Sequence, residues 1–173
     1  MRLSLALPSI IAASFLLSAC GWQLRGMQAD QKPLPEIVVT SDDNYSPMTL
    51  SVREALQKQS TSDSSNVAYR LRILEEIIEK RPVTYNATGT PAQYEMTLKV
   101  TYAIEIPGSA TAPLPREAST HRIFDFDPRN VVAKSEEERS LLQHMRQQLA
   151  RRLISDISRQ HNARTDNPTD VRE

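Results

Sequence analysis

The stretch QYEMTLKVTYAIEI, residues 93–106, decides the fold, because it alternates apolar and polar side chains over its whole length. Its apolar members are Tyr94, Met96, Leu98, Val100, Tyr102, Ile104 and Ile106. Successive side chains of a β-strand point to opposite faces of the sheet. The spacing therefore predicts a long antiparallel strand with one face on a core and the other face in water.

Two further segments are predicted to be strands of the same sheet. Residues 67–79 begin with the same alternation, which breaks at residues 75–78 and predicts a β-bulge or twist there. An amphipathic helix over residues 71–80 is the alternative, but Pro82 and the loop after it resemble the turn of a hairpin. Residues 118–126 form the next predicted strand, and the sequence leaves open which of its faces is buried.

A short strand and a helix precede the predicted hairpin. Residues 35–40 contain Ile-Val-Val-Thr, a β-branched run typical of a short buried strand. Ser46 followed by Pro47 is typical of a helix N-cap and its first helical residue. Apolar residues then recur on one helical face as far as about Gln59. These residues are Met48, Val52, Ala55 and Leu56.

A longer helix is predicted to end the domain. Ser135 with Glu138 three residues later predicts a capping box, and three acidic residues in the first turn suit the positive end of the helix dipole. The apolar stripe that follows predicts a helix to about His161. The polar residues 162–173 are predicted to be a disordered tail.

The predicted order is strand, helix, three strands, helix, over a domain of residues 35–161. One four-stranded mixed or antiparallel sheet packed against two helices buries every apolar stripe in that order. The sequence therefore predicts an α+β fold, a two-layer sandwich.

The first 25 residues, MRLSLALPSIIAASFLLSACGWQLR, are typical of a bacterial lipoprotein signal. Arg2 precedes an apolar run at residues 3–17 that is too short to span a bilayer. The run leads into Leu-Ser-Ala-Cys at residues 17–20, the pattern of a lipobox. An ordinary secretory signal with a chance cysteine is the alternative.

The lipobox predicts how the mature chain is held at a membrane. We expect a signal peptide over residues 1–19, acylation of the Cys20 thiol, and a lipidated tether over residues 20–34. Each buried acyl CH₂ contributes about 0.8 kcal/mol, so two or three chains anchor a protein firmly. Gly21 stands where an Asp commonly retains enterobacterial lipoproteins at the inner membrane. The expected location is therefore the periplasmic leaflet of the outer membrane.

Composition argues against several classes of function. The 173 residues include 21 Lys and Arg against 21 Asp and Glu, whereas nucleic-acid binding needs a basic face. Cys20 is the single cysteine and the three histidines lie far apart, so we predict no metal site and no cofactor. No nucleophile motif or glycine-rich phosphate loop is present, so no catalytic residue is predicted. Arg70 and Arg72 are candidate anion contacts, although such charges usually form a solvated face.

Four short motifs occur in register along the mature chain. They are CGWQLRG at residues 20–26, AQYEM at 92–96, IPG at 106–108, and Asp-Pro at 127–128 followed by AKSE at 133–136. Each resembles a motif of the lipopolysaccharide-assembly lipoproteins of the LptE (rare lipoprotein B) family. The predicted order of elements agrees with that family too, so the resemblance covers essentially the mature domain.

The resemblance implies a function without catalysis. Members of that family plug the lumen of the outer-membrane β-barrel LptD, help the barrel fold, and help deliver lipopolysaccharide to the outer leaflet. Direct lipopolysaccharide binding by basic residues is also implied, and one of these falls at Lys134. A second cation of the family lies in the loop between the second and third strands. Residues 85–91 of this chain contain no Arg or Lys, and the nearest cations are Lys80 and Arg81.

The resemblance further implies a domain inside the barrel lumen, tethered to the outer membrane by its lipid, with no nucleic-acid partner. A generic periplasmic lipoprotein that binds glycan or peptidoglycan is the alternative. That function needs a concave pocket with stacked aromatic rings. One Trp, three Phe and five Tyr in the chain count against it.

Overall fold

A computed structural model of the chain describes residues 34–59 and 68–166. The predicted signal peptide, the acylation site at Cys20, residues 20–33 of the tether and residues 167–173 lie outside the described residues. In the part that is described, no helix is both long enough and apolar enough to cross a membrane.

One sheet and two helices make up the described domain. In chain order the elements are β1 (Ile37–Ser41), α1 (Pro47–Gln59), β2 (Tyr69–Tyr85), β3 (Pro91–Glu105), β4 (Arg116–Asp125), a 3₁₀ turn (Pro128–Asn130) and α2 (Val131–Asp166). The predicted α+β fold, a four-stranded sheet packed against two helices, is confirmed.

The sheet is mixed and has the order β1-β2-β3-β4. β1 pairs parallel to β2, while the β2–β3 and β3–β4 pairs are antiparallel. The register of β1 runs only from Ile37 opposite Tyr69 to Ser41 opposite Ile73. β2 therefore continues far beyond its short parallel neighbour.

β2 contains a bulge, one residue before the segment 75–78 at which the sequence predicts a bulge or twist. Its register against β3 shifts between Ile73 and Glu75, so Leu74 is the extra residue. The shift places Glu76 opposite the buried Val100, on the side of the sheet that the helices cover. The helix alternative for this segment is wrong, and the strand extends beyond its predicted end to Tyr85.

The core lies between one face of the sheet and the two helices. Its members come from α1, β2, β3, β4 and α2, and include Met48, Val52, Leu71, Leu98, Val100, Met145, Leu149 and Leu153. α1 packs against β1 and α2, and α2 packs against β3 and β4. In β4 the face with Ala118, Thr120 and Phe124 is buried, which answers the question that the sequence leaves open.

α1 begins as its sequence predicts. The Thr49 backbone N–H donates to Ser46 Oγ at 3.3 Å, and Pro47 occupies the first helical position. The helix ends at Gln59, and its predicted apolar face packs into the core.

α2 differs from its prediction at both ends. The predicted capping box is wrong, because the helix already begins at Val131 and the Ser135 hydroxyl donates to the Val132 carbonyl instead. The helix also continues to Asp166, so the predicted disordered tail is wrong for residues 162–166. The His161 ring meets the Tyr69 ring edge-on at 5.7 Å, and this contact holds the polar end of α2 beside the sheet.

Candidate functional site

The predicted lipopolysaccharide contact, Lys134, lies in the first turn of α2. This turn follows β4 and the short 3₁₀ turn after it. Its Nζ donates to Glu137 Oε2 at 2.7 Å, one helical turn further on. The lysine side chain is 22% exposed, so its ammonium group is held against the protein surface rather than extended into water.

Three carboxylates influence the Lys134 ammonium group. The hydrogen bond to Glu137 raises the pKa of Lys134, and the charges of Glu137, Asp125 and Asp127 act in the same sense. Lys134 is therefore fully charged at neutral pH. Three acids lie near two cations here, because Arg129 pairs with Asp127. Glu137 takes one of the three donors of the Lys134 ammonium group, so an incoming anion competes with that carboxylate.

Asp127 fixes the turn that places Lys134. Its Oδ1 accepts from the Arg129 backbone N–H at 3.0 Å and from Arg129 Nε at 3.2 Å. The backbone hydrogen bond, followed by the side-chain hydrogen bond, lowers the pKa of Asp127. Asp127 thus caps the 3₁₀ turn that leads directly into α2.

A second lysine lies against the first turns of α2. Lys80 of β2 donates to Glu138 Oε2 at 2.5 Å, and its Nζ is 4.8 Å from the centre of the Tyr94 ring and 5.4 Å from that of Phe124. Ring quadrupoles attract cations at such distances. Phe126 packs edge-on against Tyr94. Sequence reasoning missed this cluster, because only the bulge in β2 turns Lys80 to the helix-covered side.

Arg81 and the hairpin loop lie at the same end of the sheet. Arg81 Nε donates to Glu95 Oε2 at 2.6 Å on the face away from the helices. In the loop, Asn86 Oδ1 accepts the backbone N–H groups of Thr88 and Thr90 at 3.0 and 2.9 Å, and Gly89 has a φ of 78°. This loop is a tight polar turn that offers no cation to a ligand.

The other predicted anion contacts and acidic runs do not form a site. Arg70 Nη1 donates to Glu105 Oε2 at 2.7 Å, while Arg72 makes no ion pair within residues 34–59 and 68–166. Of the acidic pair at residues 75–76, Glu76 pairs with Arg146, and the acidic run at 136–138 pairs with this chain's own arginines and lysines. Among the described side chains, no group of three or more His, Cys, Asp or Glu could hold a metal ion.

The sheet face opposite the helices is polar and carries cross-strand pairs. Lys99 Nζ donates to Glu79 Oε1 at 2.9 Å, and this bond raises the pKa of Lys99. Gln93 Nε2 donates to Asp125 Oδ1 at 2.8 Å. Such pairs between neighbouring strands stabilise a sheet while leaving its surface wettable.

Two of the clefts on the described surface are open to solvent. One lies between α1 and α2, and the other lies beside the Arg70–Glu105 pair. Neither is lined by an aromatic ring. The rings of Tyr94, Phe124 and Phe126 pack against one another instead.

Comparison with known proteins identifies similar chains. The family model described as LptE, lipopolysaccharide-assembly, matches residues 34–157. An LPS-assembly lipoprotein LptE of Photorhabdus laumondii is 30% identical over 154 residues, which cover 87% of this chain and 84% of that protein. Its counterpart in Pectobacterium atrosepticum is 28% identical over 84% of this chain and 80% of that protein.

A solved structure is similar as well. The crystal structure of the rare lipoprotein B from Shewanella oneidensis superposes with a TM-score of 0.64 at 28% identity. The match covers 74% of this chain and 97% of that chain.

Proposed function

The chain belongs to the LptE lipopolysaccharide-assembly family, and on that premise we propose that it plugs the LptD β-barrel of the outer membrane and assists its assembly. In this role it takes part in delivering lipopolysaccharide to the outer leaflet and catalyses no reaction. The observation that carries the proposal is the family match over residues 34–157, which includes the whole sheet and most of α2.

The lipid anchor belongs to the proposal. The Leu-Ser-Ala-Cys sequence at residues 17–20 directs acylation to Cys20. Several acyl chains on one cysteine bind a bilayer far more firmly than a single chain does. The domain is then tethered to the periplasmic leaflet of the outer membrane and enters the barrel lumen from there.

The surface of the sheet supports placement inside a hydrated barrel. Its uncovered face carries hydroxyl and amide groups and cross-strand ion pairs such as Lys99–Glu79 and Arg70–Glu105. Cations and anions balance over the whole sequence, with 21 of each. A polar surface with balanced charges can lie against the hydrated inner wall of a barrel without net electrostatic repulsion.

Lys134 is the proposed contact to the phosphates of lipopolysaccharide. An ammonium group binds phosphate as a point charge. Glu137 now occupies that position at 2.7 Å, so ligand binding exchanges a carboxylate for a phosphate. The affinity of this site for phosphate therefore depends on Glu137 as much as on Lys134.

Detergent extraction of the tagged, full-length lipoprotein from its native membrane tests the proposed partner. We expect an outer-membrane β-barrel protein to co-purify in a stable complex and to be identified by mass spectrometry. An unrelated outer-membrane lipoprotein carrying the same tag is the control. Recovery of a monomeric lipoprotein without a barrel would contradict the proposal.

Glycan or peptidoglycan binding is the competing function, and the aromatic rings argue against it. Sugar-binding clefts present rings in a concave pocket, whereas Phe124 is buried and Tyr94 stacks on it at 6.1 Å. Both described clefts lack rings. Sedimentation of the lipoprotein with purified peptidoglycan separates the two proposals, since only the competing one predicts binding.

A further inference from the structure

Most of β2 has a neighbour on one side only. β1 pairs with Tyr69 to Ile73, and β2 then runs on through residues 74–85. Within the described chain, no strand lies beside those twelve residues on the side away from β3. We call this side the free edge of β2. Such an edge presents a row of backbone C=O groups and, except at Pro82, of N–H groups without strand partners.

The helices do not bury the free edge. All nine residues at positions 77–85 are exposed. α1 packs against β1 and α2, at the opposite half of the sheet. Among the described residues, two ion pairs join this half of β2 to α2, Glu76–Arg146 and Lys80–Glu138.

Charged side chains usually protect an edge strand from pairing with another chain. Here four of the five charged residues of this segment are engaged within the molecule. The pairs are Glu76–Arg146, Glu79–Lys99, Lys80–Glu138 and Arg81–Glu95. All four turn toward β3 or α2, so their charges do little to guard the edge.

The exposed part of the segment includes four large apolar side chains. Ile77, Ile78, Val83 and Tyr85 are between 39% and 59% exposed. Ile77 and Ile78 point to opposite faces of the sheet, because their partners on β3 are neighbours, Lys99 and Leu98. Any strand added here gains apolar contacts on both of its faces.

The outer edge of β4 provides a contrast within the same sheet. Ile123 is its one large, exposed apolar residue among those described, and polar side chains such as Glu117, Ser119 and His121 share its face. α2 packs beneath this strand. Exposed apolar side chains favour the addition of a strand, and the free edge of β2 carries more of them than the edge of β4.

We infer that the free edge of β2 receives an extended strand of the partner protein, which lies end to end with β1 and completes the sheet over residues 74–85. The inference rests on the proposed function, because the partner is the barrel protein named there. Twelve residues span about 40 Å, well beyond the usual strand of five or six residues. Backbone hydrogen bonds supply the affinity of such an added strand, and alternate side chains supply its specificity.

The chemistry of the edge describes the incoming strand. It carries apolar side chains opposite Ile77 and Ile78. Glu75 is exposed and makes no ion pair within the described residues, so a Lys or Arg opposite it is favoured. The partner segment is therefore a mainly apolar strand with one basic residue near the bulge.

Amide hydrogen exchange on the native complex and on the released lipoprotein tests the inference. We expect the amides of residues 74–85 that point away from β3 to exchange at least about tenfold more slowly in the complex. The edge amides of β4 are the internal control, and their rates should stay the same. Equal slowing at both edges indicates general shielding by the barrel and overturns the inference, as do unchanged rates at residues 74–85.

Failure of this test differs visibly from failure of the proposed function. A barrel that co-purifies while the free edge keeps its fast exchange contradicts strand addition alone. If no barrel co-purifies, the proposed function fails, and the inference fails with it.

Two matched variants provide a second test. Ile77→Asn on β2 and Ile123→Asn on β4 remove the same exposed side chain from the same face of the sheet, on different edge strands. We expect Ile77→Asn to weaken barrel retention about tenfold and Ile123→Asn to change it less than about twofold. Equal effects contradict the inference. Loss of a homodimer in Ile77→Asn, in place of the barrel complex, identifies a second copy of this chain as the occupant and also contradicts it.

Discussion

At the scale of single residues, the charge of Lys134 is already paired with a carboxylate when no ligand is bound. Its hydrogen bond to Glu137 and the nearby charges of Asp125 and Asp127 keep it protonated. The same carboxylates repel phosphate. Ligand affinity at this point is thus a difference between two opposing electrostatic effects.

Reversal of the lysine charge tests its role directly. We expect Lys134→Asp to weaken lipopolysaccharide binding at least about tenfold, because the phosphates lose their cation and meet a carboxylate instead, while barrel association persists. Lys58→Asp on α1 is the control, since Lys58 also pairs with a helical glutamate but lies far along the chain. Binding of labelled lipopolysaccharide to the purified complexes measures the effect. Equal affinity in wild type and Lys134→Asp would remove Lys134 from the site.

Removal of the competing acid should act in the opposite direction. In Glu137→Gln the ammonium group of Lys134 loses its charged partner and is free to bind phosphate. We expect lipopolysaccharide binding to tighten about threefold to tenfold, measured in the same assay. Glu54→Gln, which releases Lys58 on α1, is the matched control. Weaker binding in Glu137→Gln would indicate that Glu137 positions Lys134 rather than competing for it.

Asp127 gives the stability a dependence on acid pH. Its pKa in the folded chain lies below the ordinary value of 3.8, so the charged carboxylate stabilises the fold above that value. This stabilisation is lost as the pH falls through the lowered folded pKa. We expect the free energy of unfolding of Asp127→Asn to lie below that of wild type at neutral pH and to converge toward it in acid. Urea denaturation over a pH series measures the gap, and a gap independent of pH contradicts the prediction.

The site was only partly predictable at this scale. The position of Lys134 near the start of the last helix follows from the sequence, whereas its pairing with Glu137 was not predicted. The approach of Asp125 was not, because it depends on how β4 ends beside α2. The contact of Lys80 with Tyr94 and Phe124 depends on a one-residue bulge. A shift of one residue in a strand exchanges its two faces.

At the scale of elements, local signals compete at the start of α2. Ser135 and Glu138 satisfy the capping-box pattern, yet Asp127 starts a 3₁₀ turn that leads into the helix at Val131. Glu138 is then drawn to Lys80. The capping-box motif is compatible with a helix that begins at Ser135, but the preceding 3₁₀ turn makes the helix begin at Val131.

The strands were predicted unequally well. Alternation at residues 93–106 predicted β3 to within two residues of its bounds. For β4 the two faces look alike in sequence, since Phe124 and Ile123 are both large and apolar. Packing against α2 decides between them, and Arg122 reaches Gln148 of α2 at 2.7 Å. Burial of a face is a tertiary property that period-two spacing cannot assign by itself.

The Glu76–Arg146 pair joins β2 to α2 and tests how the two elements dock. Its side chains are 13% and 15% exposed and bond at 2.6 Å. We expect Arg146→Met to lower the free energy of unfolding by about 2 kcal/mol, because Glu76 is left partly buried without a partner. Arg139→Met, which breaks an exposed pair with Glu136, should cost less than about 0.5 kcal/mol. Equal losses in urea denaturation would contradict this account.

At the scale of the described domain, side chains of β2 and α2 contact each other at separate points. Lys80 meets Glu138 at one end, and Tyr69 meets His161 at the other. Eleven strand residues span about 36 Å and twenty-three helical residues about 35 Å, so the two spans match. The match allows α2 to remain beside β2 as far as His161, the end that the sequence predicts.

Length changes between these contact points should be costly. One alanine inserted after Gln148 rotates the following part of α2 by about 100° and shifts it by about 1.5 Å. We expect this insertion to destabilise the domain by more than about 2 kcal/mol, because Leu149, Leu153 and Ile157 leave the core. The same insertion after Ala112, in an exposed loop, should cost less than about 1 kcal/mol. Thermal unfolding of both variants measures the difference.

The matched spans also limit how the family can diverge. A strand and a helix advance by different amounts per residue, so a gain or loss in one cannot be offset by an equal change in the other. Insertions and deletions accepted over evolution should therefore gather at the hairpin tip and in the loop before β4. The distance from the charged turn at Lys134 to the aromatic contact at His161 should stay constant while sequences drift.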